Sequence, residues 1–161
     1  NCIIRKSILQ GNKCIEIDEC TTIGPYSMIV ALNSDAKIKI GRRCLLTCSV
    51  QIYSSLRVIV EDNCMIAGGV FIADTTHSIQ RGDIPYSNQG LTDPTPVTIH
   101  EGAWIGQNSV IMPGCSIGMC SIIGANSVVT QSIPANTIAV GAPARIIKYF
   151  CKDQMIWKNC Q

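Results

Sequence analysis

Residues 99–129 read IHEGAWIGQNSVIMPGCSIGMCSIIGANSVV, and every sixth position of this stretch is a branched aliphatic: Ile99, Ile105, Ile111, Ile117, Ile123 and Val129. Upstream, Ile40, Leu46 and Ile52, then Val60, Ile66 and Ile72, keep the same spacing. A helix needs apolar residues three and four apart, and an amphipathic strand alternates with period two; neither gives a period of six. Four residues after the aliphatics stand small side chains, among them Cys44, Val50, Cys64, Val70, Ala103, Ser109, Cys115, Ser121 and Ser127, which fit inward beside them. The residue directly after is often glycine (Gly41, Gly106, Gly118, Gly124), read as a corner that needs positive φ. Each hexad is then one short strand and one corner. Three hexads close a triangular coil, and stacked coils form a parallel solenoid whose aliphatics build one interior column. About seven coils fit the length, with handedness left open by the spacing alone.

At 161 residues and a formal net charge of +2, the chain suits one domain with a core of its own, and nothing in the charge points to nucleic acid or an anionic membrane. No run approaches the ~20 apolar residues of a membrane span, and the opening NCIIRKSILQ lacks the apolar core of a secretion signal, so a cytoplasmic protein is expected. Its ten cysteines are read as reduced thiols: Cys44, Cys64 and Cys115 occupy small-residue slots of the repeat, where a thiol packs as a small apolar group. No metal site is expected, since no close cysteine pair of zinc-ligand spacing occurs and His77 and His100 are the two histidines.

The repeat breaks between His77 and Pro96, where HSIQRGDIPYSNQGLTDPTP is rich in turn formers. A projecting loop over about 77–96, covering a site or reaching a neighbour, is expected there. A two-residue surplus around Tyr53, Ser54 and Ser55 makes a small bulge, and Ile15, Ile17, Ile23, Ile29 and Ile38 are plausible column members of the first coils. Pro134, Gly141 and Pro143 end the regular coils. The solenoid thus spans 1–145. Over 146–161 the spacing of Ile146, Ile147, Phe150, Met155 and Trp157 predicts a short capping helix.

Trp104-Ile105-Gly106, the unbroken hexads that follow, Ile123-Gly124-Ala125-Asn126-Ser127-Val128-Val129 and Gly141-Ala142-Pro143-Ala144-Arg145 resemble the acyl-CoA-binding half of the hexapeptide-repeat acyltransferases. The stretch Ile72-Ala73-Asp74-Thr75-Thr76-His77-Ser78 resembles the D-x-x-H strand end of bacterial sugar O-acetyltransferases of lipopolysaccharide and capsule synthesis. The resemblance implies a left-handed β-helix and a homotrimer with active sites between subunits, using acetyl-CoA as donor and a sugar hydroxyl as acceptor. It makes His77 the general base, a role imidazole suits at neutral pH. Asp74 is expected to orient His77 or bind acceptor hydroxyls, with Tyr53 at the acceptor. On the donor side the resemblance assigns Trp104 to the wall beside the thioester, Gln107 to a backbone donor for the oxyanion, and Ala125 and Thr130 to the pantetheine arm. Arg145 and Lys148 fall where the family holds the nucleotide phosphates, a role favoured over that of ordinary solvated charge because an extended anionic donor needs cations there. His100 lies outside the motif and is read as structural.

One departure bears on the acceptor. Galactoside acetyltransferases carry an acidic residue that grips the sugar about four hexads before the histidine, where this chain has Tyr53, Ser54 and Ser55. Two other readings stay open: an N-acetyltransferase acting on an amino sugar or a xenobiotic such as an antibiotic, and a solenoid without enzymatic activity. An amine need not surrender a proton before it attacks, so tolerance to loss of His77 separates the first from O-transfer.

Overall fold

The computed structural model describes residues 1–160, apart from the side chain of residue 12. Its strands lie in three sheets. The first sheet collects nine strands, including Thr22–Ile23, Leu45–Leu46, Met65–Ile66, Trp104–Ile105 and Ile122–Ile123. The second collects six, including Met28–Ala31, Gln51–Ser54, Phe71–Ala73, Val110–Ile111 and Val128–Val129. The third collects five, among them Lys37–Ile40, Arg57–Val60 and Val97–Ile99. Through the coils the chain visits first, second and third sheet in turn, and strands a coil apart pair in parallel, as Ile66 with Ile105 and Ile72 with Ile111. The result is a parallel β-solenoid of about seven coils.

All twelve aliphatics of the repeat are 0% exposed, and Ile23, Ile29 and Ile38 extend the column toward the N-terminus. Ile15 and Ile17, nearer the open end, are half-buried. Cys44, Cys64 and Cys115 are buried beside the column. Hydrogen bonding with Cys44, then burial, pushes the Cys64 thiol far up, and burial raises Cys115, as befits core groups rather than nucleophiles. Buried hydroxyls are satisfied locally: Ser109 donates to the Gly124 carbonyl (2.9 Å) and Ser121 to that of Gly118 (2.6 Å). The surplus residues at 53–55 are absorbed by longer strands, Gln51–Ser54 and Arg57–Val60.

The corner glycines have a different reason from the one the sequence suggests. Positive φ falls three residues after the aliphatic, at Arg43, Asn63, Asn108, Cys120 and Asn126 among others, not at Gly41 or Gly106. Those two are glycine because the next coil is too close. A Cβ on Gly106 would lie 2.6 Å from the Ala125 nitrogen, and one on Gly41 would lie 2.8 Å from that of Asp62. Gly41→Ala, remote from the site described below, is therefore expected to cost about 1–3 kcal/mol by overpacking. The urea midpoint should fall while the m-value stays constant.

The C-terminal helix expected over 146–161 does not form. Residues Arg145–Cys151 and Ile156–Asn159 make an antiparallel hairpin that adds to the first sheet beside Thr137–Val140. Two causes are local: Ile146, Ile147, Tyr149, Phe150, Ile156 and Trp157 are strand formers, and the last coil offers an open edge of unpaired backbone. A register shift at Ile138/Ala139 lets the strand keep pairing, which mimics helical spacing in sequence. Phe150 and Trp157 pack edge to face across it, centroids 5.4 Å apart. Among the described residues no helix is long and apolar enough to cross a membrane.

Candidate active site

His77 lies just past Phe71–Ala73, where the chain leaves the solenoid at the corner between second and third sheets. The segment that projects there is a zipped arm. Thr95 N–H donates to the Asp74 carbonyl (2.7 Å), Thr92 N–H to Thr76 (2.8 Å) and Ser78 N–H to Gly90 (3.0 Å), while the Thr75 hydroxyl donates to the Thr92 carbonyl (2.8 Å). His77 bridges Leu91 in antiparallel fashion, so its backbone is fixed while its ring is exposed. Farther out, Arg81 pairs with Asp83, and the Gln89 amide donates to the Arg81 carbonyl (2.7 Å). The imidazole faces a cavity of about 500 Å³ lined also by Leu32, Gln51, Tyr53, Phe71, Thr75, Thr76 and Leu91.

Asp74 does not take part as the sequence suggested. It is 0% exposed. One carboxylate oxygen accepts from Ser55 N–H (2.8 Å); the other accepts from the Ser54 hydroxyl (2.6 Å), Leu56 N–H (2.8 Å) and Arg57 N–H (2.7 Å). Both oxygens are turned into the corner of the preceding coil, and the side chain is fully buried, out of reach of an acceptor. Tyr53, in contrast, is half-buried in the cavity wall. His100 is structural as expected: Nδ1 lies 3.1 Å from Glu61 and Nε2 3.0 Å from the Ser116 hydroxyl.

The residues expected at the donor fall on another side of the prism. Trp104, Ile122, Ile138 and Lys148 are consecutive register partners across the first sheet. At about 4.8 Å per strand, Lys148 stands about 14 Å from Trp104. Trp104 is 44% exposed. Beside this row, at the corner between first and second sheets, Gln107 and Ala125 stack one coil apart, joined by Asn126 N–H to the Gln107 carbonyl (2.8 Å). Among the described residues neither the Gln107 nor the Ala125 N–H finds an acceptor, and both residues are exposed. Arg145 pairs with Val140 where this corner ends. Thr130 is not in this group: it follows Val128–Val129, at the corner between second and third sheets, the side that carries His77. Sequence reasoning missed Gln51 and Phe71, although each directly precedes a column residue and so must point outward beside Tyr53.

The three sheets differ on their outer faces. The third carries ion pairs Lys37–Glu16 (3.3 Å) and Lys39–Asp18 (3.6 Å). The first exposes Leu45, Met65 and Trp104 at 40–44%, and the second shows half-buried Met28, Phe71, Val110 and Val128. Among the described residues no group of three or more histidine, cysteine or acidic side chains could hold a metal ion.

Residues 96–131 match the family model "Bacterial transferase hexapeptide (six repeats)", and residues 37–73 match "Hexapeptide repeat of succinyl-transferase". The galactoside O-acetyltransferase of Escherichia coli K12 is 34% identical over 146 residues, covering 84% of this chain and 70% of its own. A putative lipopolysaccharide biosynthesis O-acetyl transferase of the same organism is 35% identical over 116 residues, covering 68% of this chain; the chain spans 59% of that relative's length. Among solved structures, a galactoside acetyltransferase in complex with coenzyme A superposes with a TM-score of 0.76 at 30% identity, over 89% of this chain and 69% of that one. An N-acyltransferase from Bacillus cereus, in complex with dTDP and 3-hydroxybutyryl-CoA, reaches 0.82 over 96% of this chain and 82% of its own, at 21% identity, a likeness of fold alone.

Proposed function

The chain belongs to the hexapeptide-repeat acetyltransferase family, and from that premise we propose that it transfers the acetyl group of acetyl-CoA to a sugar hydroxyl in surface-polysaccharide synthesis, with His77 as general base. The observation that carries the proposal is the exposed imidazole, held by a zipped backbone at the mouth of a 500 Å³ cavity. In this reading His77 takes the acceptor proton as the hydroxyl oxygen attacks the thioester carbonyl, and the new C–O bond forms. The oxyanion of the tetrahedral intermediate is held by the free Gln107 N–H. Collapse breaks the C–S bond, and the imidazolium returns its proton to the departing CoA thiolate. The family's left-handed coil, the acetyl-CoA donor and a cytoplasmic location, where that donor is made, belong to the same proposal. An N-acetyltransferase alternative draws support from likeness of fold alone.

Acetyl-CoA fits along the first sheet. The thioester lies by Trp104, the pantetheine runs over Ile122 and Ile138 beside the Ala125 N–H, and the phosphates reach Lys148 and Arg145 at the end of the row. The extended arm of the donor matches a row of about 14 Å. Within one chain, however, this row and His77 occupy different sides. A homotrimer resolves the separation: with the second sheet of each copy turned toward the three-fold axis, its corner with the third sheet, which carries His77, meets the first–second corner of the next copy, which carries Gln107, around a closed ring. Each site then takes His77 and Thr130 from one copy and Trp104, Gln107 and Lys148 from its neighbour.

Co-expression tests this division. His77→Ala alone and a Trp104→Ala, Lys148→Glu double variant alone should both be nearly inactive. In randomly mixed trimers about one site in four pairs an intact His77 side with an intact donor side, so about a quarter of wild-type activity returns. A mixture no more active than its parts would place the whole site in one chain.

A further inference from the structure

The wall that faces His77 has a definite chemistry. Tyr53 and Phe71 project from adjacent strands of the second sheet, their ring centroids 5.7 Å apart and their planes inclined by 34°. Leu32 and Leu91, 43% and 48% exposed, continue the apolar surface. Gln51 is the one amide among the lining residues, Tyr53, Thr75 and Thr76 add hydroxyls, and no aspartate, glutamate, lysine or arginine is among them. The buried carboxylate of Asp74 has both oxygens engaged.

These walls discriminate among acceptors. A nucleotide-linked sugar brings a diphosphate that needs Arg or Lys, and none lines the cavity. A protonated amino sugar needs a carboxylate, and none is among the lining residues. A sugar that points a hydroxymethyl group at two rings and two leucines leaves that hydroxyl desolvated without a partner. What fits is a neutral sugar that lays a C–H face on the aromatic pair, as aromatic side chains bind apolar surfaces, and offers one polar edge to Gln51. We infer that the acceptor is a neutral sugar with an apolar face, of which a 6-deoxyhexoside is the simplest, and that Tyr53 and Phe71 set this preference. The inference rests on the acetyltransferase reading only for what happens after binding.

Two measurements test it. First, acetyl transfer to a methyl 6-deoxyhexoside, to the parent methyl hexoside and to a nucleotide diphosphate hexose is compared for wild type, Phe71→Ala and Tyr53→Leu. Wild type should favour the deoxy sugar over its parent by about tenfold in kcat/KM, the scale on which an apolar pocket separates such pairs. Both variants should bring the ratio toward one, mainly through acceptor KM, with the KM for acetyl-CoA unmoved as the control for folding. Parity in wild type, preference for the nucleotide-linked sugar, or a ratio untouched by both variants overturns the inference. Second, saturation-transfer NMR without acetyl-CoA should show contact from the protein to the deoxy-sugar methyl and ring C–H protons in wild type and His77→Ala, and little in Phe71→Ala. Saturation transfer to the sugar without any acetyl transfer would sink the acetyltransferase reading and leave this inference standing. Acetyl transfer without a preference for the deoxy sugar would do the reverse.

Discussion

His77→Ala should lower acceptor-dependent release of CoA from acetyl-CoA by about 100-fold or more, the contribution of a positioned general base. The substitution is clean because the ring is exposed and the backbone of residue 77 is held independently, by its bridge to Leu91 and the flanking bonds of Thr76 and Ser78. The loss should therefore appear in kcat, with little change in thermal midpoint and none in the KM for acetyl-CoA, whose proposed contacts lie on the first sheet. His77→Gln sharpens the result. It keeps a polar side chain of similar reach but cannot take up a proton near neutral pH, so it should be as slow as the alanine variant. An amine acceptor, which attacks without prior deprotonation, should lose far less than a hydroxyl acceptor. Equal release by wild type and His77→Ala on a hydroxyl acceptor would remove His77 from the reaction.

The solenoid was legible because a coil this regular leaves each hexad one inward aliphatic, and Ile99 through Val129 run without interruption through five corners. The same count, carried further, separates faces: Trp104 sits one residue before a first-sheet column member and Thr130 one after a second-sheet member, so their placement on different sides was already implied. Positive φ was harder to locate, since Arg43 and Cys120 adopt it as readily as Gly102, while Gly41 and Gly106 answer to crowding from a coil twenty residues away. The terminal hairpin escaped because Ile146, Ile147 and Phe150 suit a bulged strand as well as a helix, and only the open edge at Thr137–Val140 decides between them. Asp74 escaped for a related reason. Nothing in its own neighbourhood along the chain reveals that three successive N–H groups of residues 55–57 converge on it.

That convergence makes Asp74 the other position of large effect. Asp74→Ala removes a buried acceptor of four hydrogen bonds and leaves the N–H groups of Ser55, Leu56 and Arg57 to find water at a partly buried corner. Hydrogen bonds to a charged group contribute about 1.5–3 kcal/mol each, but they are not additive and water reaches this corner, so a net loss of about 3 kcal/mol is expected. For a chain of this size that is about 6–12 °C in Tm. Asp74→Asn should fall between, since the amide oxygen keeps some donors while its NH2 group faces others. Activity should fall with stability, because Asp74 ties the corner that carries Tyr53 to the base of the arm that carries His77. The pairing of the two effects is the point of the measurement. An Asp74→Ala protein as stable as wild type yet inactive would return Asp74 to the acceptor-binding role its place in the D-x-x-H stretch suggests; one that is destabilised, with its residual activity carried by the folded fraction at low temperature, would fix it as the clamp between two coils.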